Sequence, residues 1–195
     1  MPVSAFAWAC YNLKMNTRTL AVFAAFALLV PAAAHAELPQ GTKAPAFSAP
    51  GALAGKPFTF DLQAALKRGP VVLYFYPKAF TQGCTLEAHA FAENSGKFAQ
   101  AGATVVGMSN DDIPTLQRFS TEECRDKFAV AAASKEVIKA YDVDLKAVGI
   151  STGYTKRTSY VINQAGKIVL VHSDMDYRDH VKLTLAAVQK IHGSH

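Results

Sequence analysis

The sequence predicts an α/β domain in which a mixed central sheet carries helices on both faces. Three observations point there: apolar runs of strand length at residues 71–76 and 104–108, amphipathic helical stretches after each run, and a C-terminal hairpin followed by a closing helix. A composition of 50% hydrophobic and 18% charged residues fits one globular domain with a sizeable core.

The first 36 residues are read apart from that domain. Residues 20–30 contain no polar side chain, Arg18 precedes them, and Ala34-His35-Ala36 follows. This is the pattern of a secretory signal peptide, with an apolar run too short to span a bilayer. Cleavage is expected after Ala36, leaving a single domain over 37–195 in the bacterial periplasm with no stable membrane association. The signal is complete from Met15, so translation is expected to start there, with residues 1–14 an upstream extension. Removing Lys14 and Arg18 leaves 18 basic against 15 acidic residues, too mild an excess to predict nucleic-acid binding. Removing Cys10 leaves two cysteines, Cys84 and Cys124. In an oxidising compartment two cysteines can pair, either as a structural bond or within a catalytic cycle.

Residues 39–50, with three prolines, read as an extended lead-in. A turn at Gly55-Lys56-Pro57 precedes a short strand over 58–60; Asp61 then caps a short helix through Lys67, stopped by Gly69-Pro70. Residues 71–76 form an apolar and aromatic run between prolines, the mark of a buried central strand. Leu86, Ala90, Phe91 and Phe98 recur at helical spacing over 84–100. A second buried strand spans 104–108, and Asn110 or Asp111 starts a helix that tolerates Pro114 in its first turn. A strand over 127–133 and a helix capped by Ser134 follow. Strands over 159–162 and 167–172 flank Asn163-Gln164-Ala165-Gly166, a hairpin connection, and 181–191 closes the domain as an amphipathic helix.

The chemistry concentrates in Tyr74-Phe75-Tyr76-Pro77-Lys78-Ala79-Phe80-Thr81-Gln82-Gly83-Cys84-Thr85-Leu86-Glu87. A strand stops at Pro77, a tight loop follows, and Cys84 opens a helix at the protein surface. There the sulfur meets unpaired backbone N–H groups and the positive end of the helix dipole, which favour thiolate. Cysteines in such positions have pKa values lowered to roughly 3.5–7.5. A thiolate attacking a peroxide needs a hydrogen-bond donor, a cation and a wall against water. Thr81 and Pro77 supply the first and last, and Arg157 is the cation, delivered if the strand over 159–162 pairs beside 71–76.

Pro77-x-x-x-Thr81-x-x-Cys84 resembles the active-site pattern of the peroxiredoxins. The longer stretch from Phe75 to Thr85 resembles their bacterioferritin-comigratory branch, peroxiredoxin Q. Gly41-x-x-Ala44-Pro45-x-Phe47, Val106-Gly107-Met108-Ser109-x-Asp111 and Arg157-x-Ser159-Tyr160 are similar to further blocks of the family, in the same order. The resemblance implies a thioredoxin-like three-layer sandwich and a thiol peroxidase acting on hydrogen peroxide and organic hydroperoxides. It implies Cys84 as the peroxidatic residue, Thr81 and Arg157 holding the peroxide, and Pro77 shielding the sulfur. Glu87 matches a position that accepts a hydrogen bond from the arginine; its residue-level alternative is a solvated acid in the first helical turn. No cofactor and no metal are implied; the partners are a peroxide and a thioredoxin-like or other thiol reductant, with the chain a monomer or weak dimer.

Many members of the branch carry a second cysteine five positions after the first; here that position is His89, and Ala79 and Gln82 replace a common Asp and Pro. Cys124 resembles the resolving cysteine of a subset of the branch, near the end of the third helix. An intramolecular Cys84–Cys124 disulfide requires both segments to unwind locally, because bonded cysteines bring their Cα atoms within about 4.4–6.8 Å. The alternatives are a one-cysteine cycle using an external thiol, a thioredoxin-fold copper carrier with Cys84 and His89 as ligands, and a purely structural disulfide. A disulfide oxidoreductase of this fold needs Cys-x-x-Cys, and Thr81 stands where the earlier cysteine belongs. His172, His180, His192 and His195 share no spacing and read as solvated or internally satisfied.

Overall fold

The computed structural model describes residues 37–193. The proposed start at Met15 and the cleavage site at Ala36 lie outside them.

Seven strands form the main sheet. They are β1 (Ser48–Leu53), β2 (Lys56–Asp61), β3 (Val71–Phe75), β4 (Thr104–Ser109), β5 (Ala129–Ala132), β8 (Thr158–Ile162) and β9 (Ile168–Ser173). Their order across the sheet is β2-β1-β5-β4-β3-β8-β9, parallel within β5-β4-β3 and antiparallel at both edges. A second sheet pairs β6 (Asp144–Ala147) with β7 (Ile150–Thr155). Five helices complete the fold: α1 (Leu62–Leu66), α2 (Gln82–Gln100), α3 (Ile113–Glu122), α4 (Lys135–Ala140) and α5 (His180–His192).

Every residue of β3 is buried, and the strand period of two sends alternate side chains to opposite faces. Val71, Leu73 and Phe75 enter a core with Phe60, Leu62, Ile138 and Tyr141; Val72 and Tyr74 enter one with Phe91, Phe119 and Val188. Helices α1 and α4 therefore cover one face, and α2, α3 and α5 the other, as the apolar patterning requires.

Strand register places the site. Phe75 pairs with Thr158 and Tyr74 with Ser159, so Arg157 arrives beside the point where β3 ends and its loop begins. Thr155 Oγ1, at the end of β7, donates to the Tyr76 carbonyl at 2.7 Å and fixes that junction.

Three expectations need correction, and one element, the β6–β7 hairpin, was not expected. The lead-in over 39–50 continues into a paired strand: β1 begins at Ser48, inside the sheet, despite Pro50 and Gly51. Gly51 is needed there because a Cβ would stand 2.4 Å from the Val130 carbonyl oxygen. The β6–β7 hairpin carries no alternating apolar pattern and is mostly exposed, so periodicity does not reveal it. Its turn places Val148 (φ 51°) and Gly149 (φ 79°) in left-handed conformation. Helix α3 is capped by Asp112, which accepts from Thr115 N–H, rather than by Asn110 or Asp111. Helix α2 starts at Gln82, so Cys84 is its third residue and lies in the buried core rather than at the surface.

Candidate active site

The loop from Pro77 to Thr81 hangs between β3 and α2 and is held from below. The Asp111 carboxylate accepts from the Ala79 N–H and the Ser109 hydroxyl, both at 2.8 Å, tying the loop to the end of β4. Phe80 takes a left-handed conformation (φ 63°) and rests edge-on against Phe119 of α3. Thr81 is the N-cap of α2, and its carbonyl accepts the Thr85 N–H. The Gln82, Gly83 and Cys84 N–H groups thus occupy the first turn, where a helix has no internal partners for them. The Thr81 hydroxyl donates to the Lys78 carbonyl at 2.9 Å, which corrects the expectation that it is the donor to a peroxide: its proton serves the loop and its oxygen stays available as an acceptor.

Cys84 is 1% exposed, and the guanidinium of Arg157 reaches it from β8's N-terminal side, with Nη2 3.5 Å from Sγ. All three guanidinium nitrogens are committed: Nη2 to the sulfur, Nη1 to Glu87 Oε2, and Nε to the Met175 carbonyl at 3.0 Å. Glu87 is 0% exposed, which removes the reading of it as a solvated acid. Burial pushes its carboxyl up to about 8 against the pull of Arg157. A carboxyl whose ionisation is held back orients the guanidinium without cancelling all of its positive charge. Burial works against the charge on Arg157 too, yet Glu87 and Cys84 hold its pKa above the ordinary guanidinium value.

Behind Glu87 sits His180, also buried, with Nδ1 3.7 Å from Glu87 Oε1. His180 Nε2 lies 3.0 Å from the Asp174 carbonyl, which only accepts, so Nε2 carries the proton and Nδ1 accepts from the Ser159 hydroxyl at 2.8 Å. Burial, with His172 and Arg157 nearby, holds the imidazole down to about 4, against the pull of the Asp174 carbonyl. An unfolded histidine takes a proton below about 6.5. The folded one refuses it until about 4, so this contribution to stability is full above 6.5 and falls as pH drops toward 4. The native state is expected to lose on the order of 2–3 kcal/mol by this route between pH 6.5 and 4. Denaturant midpoints across that range check it: His180→Asn should flatten the pH dependence.

Gly83 gives Arg157 its room. A Cβ there would stand 3.1 Å from Arg157 Nη2, whose position three bonds already fix. Gly83→Ala should lower the rate of peroxide reduction about tenfold, since small displacements of a positioned group weigh heavily on rate. Its thermal midpoint should change little, which a melt alongside the kinetics would show.

Residues 40–171 match the AhpC/TSA family. The chain belongs to that family. The crystal structure of peroxidoxin BcpB from Mycobacterium tuberculosis superposes with a TM-score of 0.70 and 30% identity, covering 79% of this chain and 98% of that one. Peroxiredoxin Q of Xanthomonas campestris gives a TM-score of 0.64 at 26% identity, over 73% of this chain and 90% of that one. A chloroplastic peroxiredoxin Q of Populus jackii is 32% identical over 126 residues, 64% of this chain and 58% of that protein. The fold is therefore thioredoxin-like, and the chain is a thiol peroxidase, similar to the peroxiredoxin Q proteins, taking a peroxide as substrate and a thiol as reductant.

In this peroxiredoxin the structure brings Cys84, Arg157 and Glu87 into direct contact, with Thr81 capping the same helix and Pro77 half-buried at the end of β3. Cys124 lies just past α3, 0% exposed, with a free thiol. It shares one aromatic core with Cys84, Tyr74 and Tyr76. His89 Nε2 is bonded to Glu123 at 2.6 Å, and among the described residues no cluster of three or more His, Cys, Asp or Glu could hold a metal. Sequence reasoning missed four positioning groups: the Gly83 backbone, the Met175 carbonyl, the Asp111 carboxylate and the Ser159–His180 pair. Gly83 and Asp111 sit inside the matched blocks, and that was the available signal. Nothing in the sequence marks a backbone carbonyl such as that of Met175.

Proposed function

We propose that Cys84 is the peroxidatic residue and that Cys124 resolves its sulfenic acid through an intramolecular disulfide, reopened by a thioredoxin-like reductant in an exported protein. The 3.5 Å approach of Arg157 Nη2 to Cys84 Sγ carries this reading. A guanidinium at that distance stabilises negative charge on the sulfur and lies next to any oxygen the sulfur attacks.

The Cys84 thiolate attacks one oxygen of the hydroperoxide, and the S–O bond forms as the O–O bond breaks. The electron pair leaves on the distal oxygen, which takes a proton and departs as water or an alcohol. Arg157 bears the charge that moves from sulfur to leaving oxygen, and the first-turn N–H groups of α2 supply further donors. Thr81 accepts the hydrogen bond of the peroxide O–H, which aligns the O–O axis with the sulfur. Pro77 limits water at the sulfur, and Glu87 holds Arg157 in register. Resolution then joins the sulfur of Cys124 to that of Cys84 and releases water, after local opening of both segments.

Cys124→Ser tests the second half of the cycle. That variant should consume one equivalent of hydroperoxide and then stall with a thioredoxin-type reductant, because the predicted mature chain holds no other cysteine. Sustained turnover with that reductant would instead support direct reduction of Cys84 by an external thiol.

A further inference from the structure

Cys124 is bracketed by two polar contacts to the helix that carries Cys84. On its N-terminal side the Glu123 carboxylate accepts from His89 Nε2 at 2.6 Å; on its C-terminal side Arg125 Nη1 reaches Glu93 Oε1 at 3.4 Å. His89 and Glu93 are four residues apart and so occupy one face of α2. The backbone beyond the cysteine is strained. Arg125 (φ 52°) and Asp126 (φ 58°) are consecutive left-handed residues, and neither is a glycine. Their turn is closed by the Asp126 N–H bonding the Ser120 carbonyl and the Lys127 N–H bonding that of Cys124, each at 3.0 Å.

We propose that the His89–Glu123 and Glu93–Arg125 pairs form a latch: they hold the Cys124 segment against α2 and thereby set how often oxidised Cys84 is resolved rather than oxidised again. The inference rests on the assignment of Cys84 as peroxidatic and Cys124 as resolving. Two reactions compete for the sulfenic acid. In one, the Cys124 sulfur bonds to the Cys84 sulfur and water leaves. In the other, a second hydroperoxide transfers an oxygen to Cys84, giving the sulfinic acid and a second molecule of water or alcohol. Only the first needs the Cys124 segment to open. While the latch is closed, the resolving thiol is sealed in the core, where burial and the neighbouring Glu123 and Asp126 raise its pKa. His89, standing where many members of the branch carry their near cysteine, then acts as a lock on the distant one.

Rapid-quench mixing of the reduced protein with graded hydroperoxide, followed by thiol alkylation and intact mass measurement, reads disulfide, sulfenic and sulfinic forms against time. His89→Ala and Arg125→Ala should each speed disulfide closure by up to about fivefold, the range of a partly exposed ion pair, and lower the sulfinic fraction correspondingly. The first oxidation of Cys84 should keep its rate in both. His89→Gln, which retains a donor toward Glu123, should stay near the wild type. Exchanging the outer pair, Glu93→Arg with Arg125→Glu, should bring the closure rate that Arg125→Ala raises back toward the wild-type value. Unchanged or slower closure in both alanine variants would overturn the latch. Absence of any intramolecular disulfide in the wild type would overturn it at its foundation, and that failure is distinguishable because it appears before any variant is made.

Discussion

Cys84→Ser is expected to abolish peroxide turnover while leaving the fold intact. The substitution replaces one buried atom by a smaller one in the first turn of α2, and the serine hydroxyl still packs among Ala79, Ala88 and the aromatic residues. What it removes is, among the described residues, the one thiol in contact with Arg157. A hydroxyl does not ionise in the range where a thiol does, and among the described residues the side chain bonded to this position is Arg157, a cation and not a base. The loss should therefore reach the detection limit in a reductant-coupled assay. A thermal melt within a few degrees of the wild type would separate it from unfolding. Residual peroxidase activity at the wild-type level would move the chemistry to Cys124.

Arg157→Lys is expected to produce the second largest loss, about 10²–10³-fold in the rate of peroxide reduction, the range found when one preorganised donor to a developing negative charge is removed. Lysine keeps the positive charge but not the planar fork. At this position the fork joins Glu87, the Cys84 sulfur and the Met175 carbonyl at once. A single ammonium on a flexible stem cannot serve all three. Arg157→Ala should add a stability loss, because it leaves Glu87 buried without its partner; breaking a buried pair from one side costs about 3–5 kcal/mol, less whatever Glu87 regains by protonating. Denaturant titration of the two variants beside single-turnover kinetics distinguishes the chemical effect from the structural one.

Much of this arrangement was legible in the chain. The run at 71–76 named the central strand, and its burial on both faces followed from being apolar at every position. The pairing of β8 beside β3 was the condition on which Arg157 depended, and the register of Tyr74 with Ser159 meets it. The loop pattern from Pro77 to Cys84 named the remaining residues. What was not legible has physical reasons. Ser48–Leu53 contains Pro50 and Gly51, residues that argue against an interior strand; the sheet accepts them because β5 comes too close at Gly51 for any side chain. The β6–β7 hairpin lies apart from the main sheet and shows little burial to print a period on the sequence. The depth of Cys84 and the roles of Asp111 and His180 arise from packing between elements distant in the chain. Spacing along one element cannot report them.

The central claim is that the Cys84 sulfur itself takes the oxygen. The most direct measurement uses reduced Cys124→Ser protein, mixed with one equivalent of hydroperoxide in the presence of dimedone and then digested for peptide mass analysis. Trapping of one dimedone on nearly every Cys84-bearing peptide, within the time the peroxide disappears, is the predicted result. An unmodified Cys84 peptide after the peroxide has been consumed, or peroxide that persists beside the reduced protein, would contradict it.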